Sequence, residues 1–220
     1  MKIPQIILLV LASILLAAPV FSEDKLESTR KAADQGDAQA QVILGVAYYE
    51  GEGVPENKAE AVKWFRKAAD QGYAQAQALL GIAYSTGEGV PEDKAKTVKW
   101  FRKAADQGFA DAQLLLGLVY DMGEGVPEHK AEAVKWYRKA ADQGYAEAQY
   151  SLGFAYELGG GGLEDYIQAY MWYNLAASQG VESAKESKVQ LSKKMTPEQI
   201  AEAQKLSSQW FEKKAKEKKK

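Results

Sequence analysis

Cysteine is absent from this sequence and histidine occurs once, at His129. The missing thiols exclude a disulfide framework, a thiolate zinc site, an iron–sulfur cluster and a cysteine nucleophile. One histidine leaves no multi-histidine metal site within a chain, and any Ser/His/Asp triad would have to use it. Proline is scarce, with 6 residues in 220, whereas glycine is plentiful at 19. No sign of charge dominates: 28 basic and 30 acidic residues leave a net charge of −2, which singles out neither nucleic acid nor an acidic substrate. With 46% hydrophobic positions the chain can build a sizeable core, as one ordinary domain or one elongated array.

The first 22 residues read as a leader. Lys2 precedes an uncharged, mostly apolar stretch from Ile6 to Ala18, with Ser13 its one polar residue, and Pro19-Val20-Phe21-Ser22 leads into Glu23-Asp24. This charged, apolar and small-residue order is that of a secretory signal peptide of bacterial style, with Val20 and Ser22 at the −3 and −1 positions and cleavage after Ser22. The competing expectation is an uncleaved membrane anchor. An apolar stretch of 13 residues at about 1.5 Å each falls well short of a hydrocarbon core of about 30 Å. No cysteine follows the stretch, which excludes lipoprotein processing. The expected location is the periplasm or the outside of the cell, where stability without disulfides must come from packing.

Self-similarity organises the rest. Ala-Ala-Asp-Gln-Gly begins at Ala32, Ala68, Ala104 and Ala140, and returns as Ala-Ala-Ser-Gln-Gly at Ala176, always 36 residues apart. Segments 37–72 and 73–108 share 27 of 36 positions, far beyond chance, so the units 37–72, 73–108, 109–144 and 145–180 arose by duplication. Each unit reads as two helices. In the first, helix A runs from Ala38 to Glu50 with a period of 3.6 residues, and Gly51-Glu52-Gly53-Val54-Pro55 ends it. Asn57 with Glu60 forms a capping box for helix B, and Asp165 with Gln168 repeats it. Helix B buries Ala61, Val62, Trp64, Phe65, Ala68 and Ala69, with Arg66 and Asp70 as an i,i+4 pair on the wet side. Gly45, Gly81, Gly117 and Gly153 lie mid-helix, where glycine costs about 1 kcal/mol relative to alanine. A cost repeated at one position implies a ring packed against it, for which the column Trp64, Trp100, Trp136 and Trp172 is the expectation. Tyr48, Tyr84, Tyr120 and Tyr156 form a second column.

The pattern Ala-x-Ala-Gln-x-x-Leu-Gly-x-x-Tyr-x-x-Gly-x-Gly-Val-Pro, followed by Ala-x-x-Trp-Phe/Tyr-Arg-Lys-Ala-Ala-Asp-Gln-Gly, resembles the Sel-1-like repeat (SLR). The resemblance covers about two-thirds of the chain. It implies an all-α, tetratricopeptide-like fold: antiparallel helix pairs stacked into a right-handed α/α superhelical solenoid of about four repeats plus capping helices. The fourth unit departs from the pattern, with Gly159-Gly160-Gly161-Gly162-Leu163 in place of the Gly-Glu-Gly-Val-Pro turn. Met171-Trp172-Tyr173-Asn174-Leu175-Ala176-Ala177 nevertheless retains helix B.

Both ends read as caps, which an array needs to cover its stacking faces. Residues 23–36 form a half repeat. A helix from about Val181 to Lys193 follows the array, and Thr196-Pro197-Glu198-Gln199 opens another with Ile200, Ala203, Leu206 and Trp210 on its apolar face. These C-terminal caps occupy 181–211, and 212–220 is a basic tail expected to be solvated and frayed. From Glu212 onward there are six Lys and two Glu, so residues 23–211 hold 21 basic and 28 acidic residues. The near-neutral total conceals an acidic array with a basic end. Neither nucleic acid binding nor stable membrane insertion after cleavage is expected.

No constellation of nucleophile, base and oxyanion donors is evident, and no cofactor is implied. His129 falls at a helix start, where Asn57, Asp93 and Asp165 stand in other repeats. The Gly-x-Gly turns lack the preceding strand and Lys-Ser/Thr of a phosphate loop. Glu52, Glu88 and Glu124 occupy separate turns, whereas a calcium loop clusters its oxygens within a dozen residues. A Ser-x-x-Lys motif occurs at Ser28–Lys31 without supporting motifs. Together with the β-lactam-acting, cysteine-rich relatives of the resembled family, it supplies the alternative of a cell-wall or β-lactam-acting enzyme. The absence of Cys argues against that alternative.

The informative positions are those that vary on the copied scaffold: Val42/Ala78/Leu114/Tyr150, Val46/Ile82/Leu118/Phe154 and Tyr49/Ser85/Asp121/Glu157. Spacings of three and four place each trio on one face of helix A. The resemblance implies that this helix lines a concave surface where peptides or partner helices bind. The expected partner-binding residues are Tyr49, Ser85, Asp121, Glu157, Tyr150 and Phe154, on an exported, non-enzymatic adaptor for a protein or peptide. Neutral swaps in the core or unconstrained surface would produce the same variation.

Overall fold

The computed structural model describes residues 23–217, so the leader and its cleavage site lie outside the described residues. Eleven α-helices and no strands occur among them: α1 (Glu23–Asp34), α2 (Ala38–Glu50), α3 (Lys58–Asp70), α4 (Ala74–Thr86), α5 (Lys94–Asp106), α6 (Ala110–Met122), α7 (Lys130–Asp142), α8 (Ala146–Glu157), α9 (Tyr166–Ser178), α10 (Glu182–Ser192) and α11 (Pro197–Glu217). The fold is an all-α helical repeat solenoid divided into two compact units, one ending at Pro127 and the other beginning at Glu128. Within the first, each helix from α1 to α6 packs on the next. Within the second, α7 packs on α8, α8 on α9, and α9 on both α10 and α11.

Local chemistry sets the helix ends. Gly51, Gly87 and Gly123 adopt left-handed φ values of 71–74° and close α2, α4 and α6. The side chains of Asn57, Asp93 and Asp165 accept the N3 amide of α3, α5 and α9, and His129 does the same through Nδ1 for α7, at 3.2 Å from the Glu132 amide. The capping box at α3 is half made, because Glu60 turns its carboxylate to Lys63 at 2.8 Å and leaves the Asn57 amide to the Tyr48 carbonyl. At α11 the box is complete: Thr196 Oγ1 accepts the Gln199 amide and Gln199 Oε1 accepts the Thr196 amide.

The ring against the mid-helix glycines is not the tryptophan. A Cβ added to Gly45 would lie 2.6 Å from the Phe65 ring, at Gly81 2.5 Å from Phe101, and at Gly153 2.8 Å from Tyr173. Neighbouring residues on a helix point about 100° apart, so Trp64 takes a different direction. It joins Ala33, Ala40 and Leu44, with Leu26 and Tyr48 packed alongside. Arg66 also departs from expectation. Its guanidinium donates to the Tyr84 hydroxyl at 2.7 Å and no ion pair with Asp70 forms, because the phenol of the next repeat lies within reach. Arg30–Tyr48 and Arg102–Tyr120 make the same contact.

Two glutamine positions knit neighbouring helix pairs. Gln41 Nε2 donates to the Ala33 carbonyl at 3.1 Å while Gln41 Oε1 accepts Gln71 Nε2 at 2.8 Å. Gln77 with Gln107, and Gln149 with Gln179, repeat this pair at 2.8 Å. These amides are buried on the helix-A side, where every donor needs a partner.

In the second unit α11 lies on α9 through fully buried Ala203 and Ser207, and Ser207 Oγ donates to the Ala203 carbonyl at 2.9 Å. The tail differs from the expectation of fraying: α11 continues to Glu217, aided by a Lys214–Glu217 pair at 2.7 Å. No helix among the described residues is long and apolar enough to cross a membrane.

Candidate functional site

The variable positions of helix A separate into core and surface. Val42, Ala78 and Leu114 are buried, as are Val46, Ile82 and Leu118, so in the first three repeats these two columns are packing. Repeat four breaks the rule. Tyr150 is half-buried and its ring stacks on Tyr173 with centroids 5.7 Å apart, while Phe154 is 46% exposed. Leu158, one turn further on, is 63% exposed. Glu157 in the same helix accepts the Tyr173 hydroxyl at 2.9 Å and pairs with Lys194 at 3.3 Å. Burial, then the hydrogen bond to Glu157, pushes the Tyr173 phenol up. Thus Tyr150 and Glu157 meet on Tyr173, while Phe154 between them in sequence stays exposed.

In the first unit the position occupied by Tyr49 and Ser85 behaves in two ways. The Tyr49 hydroxyl donates to Glu88 Oε2, and Lys58 Nζ sits 5.0 Å from the ring centroid while bonding Glu88 Oε1 at 2.7 Å. Burial pushes the Tyr49 phenol up, and its hydrogen bond to Glu88 adds to this. Lys58 first, then Tyr49, holds the Glu88 carboxyl below the usual range, and Glu88 in turn raises Lys58. One repeat on, Lys94 and Glu124 form the corresponding pair at 2.5 Å, but Ser85 supplies no ring. A cavity of about 460 Å³ opens there, lined by Ser85, Lys94, Phe101, Leu115, Leu118 and Glu124 among others. Asp121 is half-buried at the end of α6. The structure therefore gives Tyr49, Tyr150 and Glu157 intramolecular partners, and leaves an open space at Ser85 and an exposed ring at Phe154.

The turn glycines hold this geometry. Gly89 has φ +72° and a Cβ there would sit 2.2 Å from the Lys58 carbonyl oxygen, so the turn of repeat two lies directly on the start of α3. That approach delivers Glu88 to Tyr49 and Lys58.

The remaining candidates are occupied by the scaffold. His129 caps α7, and its Nδ1 is an acceptor in that role. Glu88 and Glu124 hold Lys58 and Lys94 across neighbouring repeats. Ser28 is exposed and its hydroxyl donates to the Lys25 carbonyl of its own helix at 2.8 Å. Among the described residues no group of three or more His, Asp or Glu is placed to hold a metal ion. The cavity at Ser85 was not anticipated from sequence; its signal was a serine standing where an otherwise copied unit has tyrosine.

Comparison with known proteins follows the same 36-residue grain. The Sel1 repeat family matches residues 38–73, 74–109, 110–145 and 146–181, one position later than the units counted from the helix cap. No curated protein matches. Among solved structures, the protein c5321, a protective antigen present in uropathogenic Escherichia coli strains and displaying an SLR fold, is 40% identical with a TM-score of 0.82. The match covers 92% of this chain and 44% of that one, so this chain spans under half of its length. A Sel1 repeat protein from Oxalobacter formigenes is 35% identical over 86% of this chain and 75% of its own, with a TM-score of 0.73. The immunity protein Pa5087 from Pseudomonas aeruginosa is 25% identical over 96% of this chain and 80% of its own, with a TM-score of 0.54.

Proposed function

Because this chain belongs to the Sel1 repeat family, we propose that it is an exported, non-enzymatic scaffold that holds a protein or peptide partner on the surface carried by the first helix of each repeat. The observation that carries this reading is Phe154. Duplication copied the packing of helix A, yet here a position that is core as Val46, Ile82 and Leu118 is turned into a ring 46% exposed. Leu158 extends the same apolar surface, and exposed apolar groups of this kind mark contact sites. A rigid helical array loses little ordering entropy when it binds, which favours recognition of an extended segment. Neighbours described as a protective antigen and as an immunity protein support a binding role over a catalytic one. The apolar stretch before Glu23 supports export.

A photo-crosslinker placed at position 154 of the 23–220 protein tests the binding role in envelope extract. One dominant adduct is expected, absent when the crosslinker is moved to exposed Lys99 and lost on competition with unlabelled wild type but not with Phe154→Ser. Equal adducts from positions 154 and 99 would overturn the reading. Export is tested separately: removing residues 2–22 should move the protein from the envelope fraction to the cytoplasm, and an unchanged distribution would reject it.

A further inference from the structure

We infer that the cavity at Ser85 is a docking site for a tyrosine side chain of a partner polypeptide. The proposal rests on the scaffold reading above and names what one part of that surface recognises. The molecule contains its own template for the occupant. Six of the ten lining residues carry the comparison with the copy 36 residues earlier: Lys94 corresponds to Lys58, Phe101 to Phe65, Leu115 to Leu79, Leu118 to Ile82, Glu124 to Glu88, and Ser85 itself to Tyr49. In the earlier copy the space holds the Tyr49 ring, whose hydroxyl donates to Glu88 and whose face lies under Lys58 at 5.0 Å. In the later copy the same ammonium and carboxylate remain at the mouth and the floor below is still largely apolar, with Val119 and Thr97 where the earlier copy has Ala83 and Ala61, but the ring is missing.

Exposure records the loss. The Lys58 and Glu88 side chains are each 34% exposed, whereas those of Lys94 and Glu124 are 56% and 42% exposed. An ion pair that a phenol shields in one repeat is uncovered in the next. The cavity volume of about 460 Å³ lies within the range of roughly 300–1,000 Å³ typical of ligand pockets. Its floor of Phe101, Leu115, Leu118 and Val119 is buried hydrocarbon, suited to an aromatic ring. Glu124 is placed to accept a phenolic hydroxyl and Lys94 to lie over the ring face. Tyrosine therefore fits better than phenylalanine, which would bring no hydroxyl to the Glu124 oxygen that Lys94 does not hold. The rim carboxylates Glu92 and Glu124 outnumber Lys94, so basic residues flanking the tyrosine suit the surroundings. A ring entering from outside has no covalent tether, and flanking backbone contacts are what make a polypeptide a better occupant than a free phenol.

The test uses the 23–220 protein with methyl-labelled leucine and valine, titrated with acetylated and amidated Gly-Lys-Tyr-Lys-Gly, with its phenylalanine analogue, and with p-cresol. Saturable shifts are expected at Leu115, Leu118 and Val119 with the tyrosine peptide. Its affinity should be at least fivefold above that of the phenylalanine analogue or of p-cresol. Ser85→Tyr should abolish the shifts by filling the site from within, with the native fold checked by circular dichroism. Ser85→Ala should retain them, showing that the space and not the hydroxyl matters. Absence of saturable shifts in wild type, or their persistence in Ser85→Tyr, would overturn the assignment. Equal affinity for p-cresol and the peptide would overturn the polypeptide occupant. The scaffold reading fails independently: it falls if the position-154 adduct is non-specific, whatever the outcome at Ser85, and it stands if that adduct survives while the peptide fails to bind.

Discussion

Repeats one and two are 27/36 identical, yet one closes a space that the other leaves open. In the first, Tyr49 lies between Lys58 and Glu88 of the incoming turn, and the ion pair of Lys58 with Glu88 is shielded. In the second, Ser85 and Phe101 line a cavity and Lys94–Glu124 meets more water. The comparison separates what a repeat must keep from what it is free to change. Turn geometry, the glycine–ring contact and the glutamine pairs are shared. The residue at position 49 or 85 is a plug that can be withdrawn without altering the helices, because its neighbours are anchored by other contacts.

Six substitutions break or sharpen this contrast. The largest effect belongs to Gly89→Ala, which attacks the turn that delivers Glu88. Its Cβ would meet the Lys58 carbonyl at 2.2 Å, and φ is +72°, so the backbone itself must move. Overpacking of about 1–3 kcal/mol and a left-handed penalty of about 1–2 kcal/mol together predict a loss of about 3 kcal/mol in urea unfolding. Next comes Gly45→Ala, whose Cβ would press on the Phe65 ring at 2.6 Å and on the Ala61 carbonyl at 3.3 Å. It should cost about 1–3 kcal/mol after strain is set against better helix propensity. Gly81→Ala presses Phe101 equally hard, but that ring can shift toward the cavity, so its cost should be smaller by about 1 kcal/mol. Equal costs for the two variants would show that Phe101 is as tightly held as Phe65.

Third, Ser85→Tyr should raise stability by about 1 kcal/mol, read as a higher melting temperature, because it restores the missing ring. In that background Gly81→Ala should become as costly as Gly45→Ala. The smallest effect is on the pH profile. The Glu88 carboxyl is held below its ordinary value, chiefly by Lys58, so the stability it adds is present above the unfolded carboxyl pKa and is lost as pH falls through the folded one. Glu88→Gln should flatten the acid limb of a stability–pH curve. The Tyr49 phenol is raised, so its contribution is present below the ordinary phenol pKa of 10 and lost as pH rises through the folded one. Tyr49→Phe should flatten the alkaline limb and, because its hydroxyl also helps hold Glu88 low, reduce the acid limb less than Glu88→Gln does.

The repeat, its helices and their caps were legible in the sequence, because a period of 36 residues and glycine-terminated amphipathic segments determine them locally. Asn57, His129 and Thr196 were readable as caps for the same reason. What could not be read was direction across the stack. Trp64 and Phe65 are adjacent, so periodicity alone does not say which ring meets Gly45 and which meets Ala33 and Leu44. Arg66 had a plausible partner four residues on, but its actual partner, Tyr84, lies 18 residues away on the next helix pair. The site was half legible. Position 49/85/121/157 stood out as variable, yet whether a variable residue plugs a space or opens one depends on Lys58 or Lys94 in the second helix of the same repeat and on the turn arriving from the next repeat.

The paired glutamines have a bearing on how such a chain changes length. Each helix-A amide takes its carbonyl partner from the helix before it and offers its own oxygen to a side chain 30 residues ahead, as in Gln41 with Gln71 and Gln77 with Gln107. The track has a polarity, and every link presents the same donor and acceptor to whatever comes next. Gain or loss of one whole 36-residue segment by recombination would rejoin the track without a mismatch, whereas any other length change would strand a buried amide. The amide track thus lets evolution count in whole repeats.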